Sequence, residues 1–164
     1  MKTLTIFRHA KSSWDDPDLA DRERPLNKRG ERDAPVMGER LKSAGIRPSL
    51  VLVSPAKRAW HTARIVAREI SYPLEFLQRE PGLYHAGVNK LLDVIGAQDI
   101  GFNSIMIIGH NPGLTDLANE LLPRLTANIP TAGFVSIAMD TDDWDLRSRQ
   151  SAELVEYDYP KHKH

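Results

Sequence analysis

The sequence predicts an α/β fold, a three-layer α/β/α sandwich around a mainly parallel sheet. Short β-rich runs recur along the chain, and helical patterns separate them. Two of the runs are nearly continuously apolar, as strands buried on both faces of a parallel sheet must be.

The first strand is Leu4–Arg8 (LTIFR). Lys11–Arg24 is polar and lacks periodicity, which predicts a surface loop. A helical pattern covers about Arg29–Ala44, and Pro35 inside it should kink the helix or delay its start. Leu50–Val53 (LVLV) is the second strand, followed by a helix over about Ala56–Ile70. Leu74–Leu77 is a weaker strand candidate, and a helix is expected over about Asn89–Gln98. Ser104–Ile108 (SIMII) is the next strand and Gly113–Leu122 the next helix. Phe134–Met139 and the weaker run Ala152–Tyr157 are expected to form an antiparallel edge, because no long crossover separates them.

The length, 164 residues, suits one well-filled core. The expected organisation is a single domain over residues 1–158 and a frayed tail over 159–164. Twenty-two basic and twenty-two acidic side chains cancel, so neither a nucleic acid nor a membrane surface is an expected partner. An anionic substrate would have to be attracted by locally clustered charge. The absence of cysteine excludes thiolate nucleophiles, disulfides and Cys-ligated metals. No apolar run approaches a membrane span of roughly 20 residues, and MKTLTIFRHA is too short and too charged for a signal peptide. A cytoplasmic location is expected.

Chemistry concentrates at the strand-to-helix junctions. Ser54–Pro55 follows one strand with the grammar of an N-cap and a first helical residue, and Asn111–Pro112 repeats it after another. Gly109 should allow a tight turn there. Arg8 and His9 end the first strand. Parallel strands would bring these ends to one carboxyl edge, where ligands bind in open α/β sheets. Helix N-termini at that edge favour phosphate. Arg8, His9, Arg58 and His110 together would make a cationic pocket suited to a phosphoryl group. Singly, a His at a strand end reads more readily as structural and an Arg in a first helical turn as a solvated surface residue.

FRHAKSSW resembles the signature of the histidine phosphatase superfamily, the phosphoglycerate mutase-like proteins. RPLNKRG, SPAKRAWHTA and IIGHNPGL resemble its later segments in order and spacing, through Leu26, Asn27, Gly30, Ser54, Arg58, Thr62, Gly109 and His110. Within the superfamily, RHAKSSW, the D-x-x-RPL segment from Asp21 and GHNPGL look like the short SixA-type phosphohistidine phosphatases. The chain departs from the usual pattern at Ala10 (for Gly), Asn27 (for Thr) and Asp15 (for the Asn common in mutases).

The resemblance implies a phosphoglycerate mutase-like fold and His9 as nucleophile. It implies Arg8, Arg58 and His110 as ligands of the transferred phosphoryl group, with no metal and no cofactor. Positive neighbours would keep His9 neutral. By the same resemblance Glu80 stands near the place of a proton-donating Glu, though it reads equally as a surface residue before a turn at Pro81–Gly82. An alkoxide leaving group needs such a donor, whereas an imidazole, with a conjugate-acid pKa near ~6.5, leaves far more readily. The expected substrate is phosphohistidine on a protein. The alternatives are a small phosphate ester, making the protein a phosphomonoesterase, or an inactive phosphate-binding or scaffold protein. Thr62, four residues after Arg58, is placed to buttress the site, and His61 to pack. Tyr84 and His85 can line the pocket mouth, and Trp14 can cover it or anchor its loop. His162 and His164 have chelate spacing on the tail, which is read as incidental.

Overall fold

In the computed structural model, which describes residues 1–148 and 151–163, one sheet runs through the molecule. Its strands are β1 (Lys2–Arg8), β2 (Leu50–Val53), β3 (Gln78–Arg79), β4 (Ser104–Gly109), β5 (Phe134–Met139) and β6 (Ala152–Asp158). Their spatial order is β3-β2-β4-β1-β5-β6. Strands β1 to β4 are mutually parallel, while β5 runs antiparallel to β1 and β6 antiparallel to β5. The helices are α1 (Lys28–Ser43), α2 (Lys57–Glu69), α3 (Val88–Gly96) and α4 (Gly113–Leu121).

Period-two alternation sends successive strand residues to opposite faces. On β2, Leu50 and Leu52 join one apolar cluster with Ile105 and Ile107 of β4, Leu91 and Ile95 of α3, and Leu114 and Leu117 of α4. Val51 and Val53 join the other with Met106, Ile108, Met37 and Leu41 of α1, and Ala63 and Val66 of α2. Helices therefore cover both faces, which gives the expected three layers. Burying each such aliphatic side chain contributes roughly 1.5–3 kcal/mol.

Register sets the site. Arg8 of β1 lies opposite Gly109 of β4, and Val53 of β2 lies opposite Ile108. The next residues, His9, His110 and Ser54, thus emerge side by side at the carboxyl edge, with His110 between the other two.

Several local expectations are corrected. Leu74–Phe76 is a 3-10 turn rather than a strand, its entry set by Pro73 at φ −60°. The pairing is made instead by Gln78–Arg79 at the exposed edge. Helix α1 starts on time and runs through Pro35, with the Asn27 side chain accepting the Gly30 N–H at 2.8 Å. Pro55 and Pro112 are not first helical residues, since α2 starts at Lys57 and α4 at Gly113. The Ser54 hydroxyl is engaged mainly by His110, at 2.7 Å, rather than by the helix. Gly109 ends β4 and has no positive φ.

Two other glycines allow close approaches. A Cβ at Gly30 would lie 2.2 Å from the Lys11 carbonyl oxygen, and one at Gly113 would lie 1.9 Å from that of Ala86. The loop after β1 and the segment before α3 are held against helix starts in this way. The Lys11–Arg24 loop is largely exposed but pinned near both ends: Ser12 bridges to Leu26, and Arg24 is buried. The residues after β6 are also tied, because Arg40 donates to the Tyr159 carbonyl at 2.8 Å and His162 pairs with Asp158 at 3.1 Å. His164 lies outside the described residues. Among those described, no helix is long and apolar enough to cross a membrane.

Candidate active site

His9 follows β1 and is 8% exposed. Its Nδ1 donates to the Ala10 carbonyl at 2.7 Å, which leaves the lone pair on Nε2. The His110 ring centroid lies 5.2 Å away. Burial, and then the charges of Arg58, Arg8 and Arg24, push the His9 pKa down to about 3 against the raising effect of the Ala10 carbonyl. Burial, then His9 and Arg58, push His110 down to about 2. Both rings are neutral at pH 7. Neutral His110 accepts from Arg58 Nη2 at 3.4 Å through Nδ1, so its Nε2–H donates to Ser54 Oγ.

Arg58 sits in the first turn of α2, and Thr62 one turn later ties that helix to the strand end. Thr62 Oγ1 donates to the Arg58 carbonyl at 2.7 Å and accepts from Ala10 N at 3.0 Å. The methyl of Ala10 is fully buried. Arg8 Nη1 donates to the Ile129 carbonyl at 2.8 Å, and Arg8 Nε is buried with no hydrogen-bond partner. Asn111 reaches the same carbonyl at 3.0 Å.

Asp21 is the organising anion. Its Oδ2 accepts from Tyr84 OH at 2.6 Å, His85 Nε2 at 2.9 Å and Arg58 Nη2 at 3.1 Å. Its Oδ1 takes Arg24 at 3.2 Å, and its carbonyl takes Arg58 Nη1 at 2.7 Å. Burial raises its pKa, but the bonds from Tyr84, His85 and Arg58 prevail and hold it well below the usual carboxylate range. Arg24 is further held by Ser12 Oγ and by the Ser13 carbonyl at 3.1 Å. Its guanidinium backs the exposed Trp14 ring at 3.3 Å, so Trp14 stands at the rim rather than across the pocket.

These groups surround an open cavity of about 300 Å³ lined by Arg8, His9, Arg24, Arg58, His85 and His110, with Lys11, Trp14 and Asp21 beside them. Arg8, His9, Arg58 and His110 are thus brought together. Glu80 is not: its Oε1 caps the turn Pro81–Leu83 by accepting the Gly82 N–H at 2.9 Å, and it does not line this cavity. The carboxylate is used locally, which fits the reading of Glu80 as a residue before the turn at Pro81–Gly82. His61 also lies outside the pocket. Asp21 and Arg24 escaped sequence reasoning because their loop has no periodicity, although D-x-x-R at Asp21–Arg24 was a usable signal. Residues 128–131, which supply the Ile129 carbonyl and Thr131, carried none. Among the described residues, no group of three or more His, Cys, Asp or Glu side chains is placed to hold a metal ion.

The buried neutral histidines predict an acid-sensitive fold. In the unfolded chain each binds a proton below about 6.5, whereas the folded chain resists until far lower pH. Their stabilisation is complete above pH ~6.5 and is lost as the pH falls, at about 1.4 kcal/mol per pH unit for each ring. Asp21 weakens the fold in the same direction only below its ordinary value of 3.8. Urea midpoints measured between pH 7 and pH 4.5 should drop steeply in the wild type and less in His9→Ala. Equal slopes would contradict this assignment.

A family model described as histidine phosphatase superfamily (branch 1) matches residues 4–80. The chain is 30% identical over 167 residues to an uncharacterized protein of Mycobacterium leprae, covering 94% of this chain and 100% of that one. It is 32% identical over 130 residues to an uncharacterized chloroplastic protein of Arabidopsis thaliana, covering 73% of this chain but only 59% of the plant protein. Among solved structures, one named as phosphohistidine phosphatase SixA of Agrobacterium tumefaciens superposes with a TM-score of 0.81 at 25% identity, over 97% of this chain and 99% of that one. The protein histidine phosphatase SixA complexed with tungstate gives 0.79 at 25% identity, over 96% and 97%. A mycobacterial glucosyl-3-phosphoglycerate phosphatase shares the fold, with a TM-score of 0.68 at 14% identity, over 94% and 97%.

Proposed function

Since the chain belongs to the histidine phosphatase superfamily, we propose that it dephosphorylates phosphohistidine on a protein, through a covalent phosphoryl intermediate on His9. The lining of the pocket carries this reading. Among the described residues its one carboxylate is Asp21, which is held ionised by three donors and cannot protonate a leaving alkoxide. A leaving group that departs without a carboxylic acid is therefore favoured. The openness of the cavity suits a protein-borne imidazole, and tungstate in a SixA relative is an oxyanion of the phosphoryl kind.

In the proposed reaction His9 Nε2 attacks phosphorus in line with the departing ring nitrogen, forming an N–P bond as the substrate N–P bond breaks. The electron pair stays on the departing nitrogen of a ring that carries a proton on its other nitrogen, so the ring leaves as neutral imidazole. The neutral state and the Nδ1–Ala10 bond present the lone pair without a prior proton transfer. Arg8 and Arg58, which both line the cavity, take the equatorial oxygens. His110 also lines the cavity, and by giving up its bond to Ser54 it can offer its Nε2–H to a phosphoryl oxygen. Water then attacks the phosphorus on His9 and releases phosphate.

The test is specificity. Phosphohistidine protein should be hydrolysed with a much higher kcat/KM than a panel of alkyl phosphates. Glu80→Gln should leave both rates unchanged, because the side chain caps a turn. A wide preference for an alkyl phosphate would favour the small-molecule phosphomonoesterase. Collapse of alkyl phosphate hydrolysis in Glu80→Gln would return Glu80 to the acid role.

A further inference from the structure

We propose that His85, held by Asp21 at the mouth of the pocket, takes the proton from the water that hydrolyses phosphorylated His9. The inference rests on the proposed phosphohistidine intermediate and concerns its second half.

His85 Nε2 lies 2.9 Å from Asp21 Oδ2. The ionised carboxylate is an acceptor, so the proton of a neutral His85 ring sits on Nε2 and its Nδ1 keeps the lone pair. A carboxylate that fixes the tautomer of an imidazole base is the logic of the serine hydrolase triad. The ring lines the cavity and its side chain is half exposed, so it meets both the phosphoryl site and solvent. Its centroid is 5.0 Å from that of His110, which is 5.2 Å from His9.

The backbone supports a selected position. His85 has φ of 51°, in the left-handed region that non-glycine residues seldom occupy. The next residue is pinned, because the Ala86 carbonyl abuts Gly113 where no Cβ fits. Strain of this kind persists where surroundings over-determine it, and it clusters at functional sites.

Geometry then decides among bases. In-line transfer requires water to enter where the leaving group left, on the open side of the cavity. The groups there and around His85 are Asp21, Arg58 of α2, His110 after β4, the Tyr84 phenol with Arg22 stacked on it at 5.1 Å, and Arg24 and Lys11 from the loop. The cations cannot accept a proton. Both Asp21 oxygens are engaged, Nδ1 of His110 receives Arg58, and Glu80 is turned away. The His85 ring lines this space, and its Nδ1 is the nitrogen not used by Asp21. In the step itself, the water oxygen bonds to phosphorus and the P–Nε2 bond of His9 breaks, its electron pair returning to Nε2. One water proton moves to His85 Nδ1, and phosphate departs. His85 then releases that proton to solvent.

The test is His85→Asn, because Asn tolerates the left-handed region and cannot take the proton. With p-nitrophenyl phosphate as probe, the initial burst of nitrophenolate should persist. Steady-state turnover should fall on the order of 10²-fold or more, the usual worth of general base catalysis. Phosphate retained on the protein after alkaline denaturation should rise toward one per chain. Burst and turnover slowed equally, without accumulated phosphoenzyme, would make His85 merely structural and overturn the proposal, as would an unchanged kcat. A wild-type protein that turns over yet never carries phosphate would instead overturn the intermediate itself, and this step with it.

Discussion

His9→Ala should abolish turnover, with a loss on the order of 10⁴-fold or more, while the protein stays folded. No cysteine exists to replace the nucleophile, and His110, the other buried imidazole of the pocket, has both ring nitrogens engaged. The cost to the fold is modest because two effects oppose. The variant loses the Nδ1–Ala10 bond and the packing of the ring. It also removes a group whose charging below neutrality works against folding. Wild-type protein quenched in alkali during turnover should carry phosphate that acid releases, and the variant should carry none. Near-normal activity in His9→Ala would remove the covalent mechanism altogether.

The layers were legible because burial leaves a mark on sequence. Leu50–Val53 and Ser104–Ile108 face helices on both sides, so nearly every position had to be apolar and the runs stood out. Strand β3 was missed for the opposite reason: Gln78 and Arg79 are exposed at a sheet edge and need no apolar pattern. The strand-end residues could be found because chain direction and parallel pairing alone bring Arg8, His9 and His110 to one edge. Asp21 could not be found in that way. Its importance lies in partners far along the chain, Arg58, Tyr84 and His85, joined by folding and not by spacing. Ser54 misled because a hydroxyl before a helix can serve a cap or a neighbour, and only the register of β2 against β4 reveals His110 as that neighbour. Glu80 was open in the same way: its distance along the chain was right for the pocket, but the adjoining turn supplied a nearer donor, Gly82 N–H.

Arg58→Ala should cost more activity than Arg58→Lys, and both should be impaired. Arg58 is 3% exposed, and its fork already makes several bonds, to the Asp21 carbonyl, the Asp21 carboxylate and His110 Nδ1. In the proposed reaction it must turn part of that fork to the phosphoryl oxygens. Guanidinium can hold Asp21 and a phosphoryl oxygen at once, whereas ammonium is a single point charge that must divide itself between them. Alanine removes the charge altogether, and with it one of the three donors on Asp21 Oδ2. The expected loss for alanine is on the order of 10²–10³-fold, as for deleting one donor to a developing charge. It should fall mainly on the burst rate with a good leaving group, because the contact strengthens as charge spreads over the transferred oxygens. Lysine should recover part of that rate while KM changes little. Near-ultraviolet circular dichroism keeps the comparison sound by separating a misplaced α2 from a missing charge. Wild-type burst kinetics in a folded Arg58→Ala protein would show that this guanidinium serves Asp21 and the loop, and not the phosphoryl group.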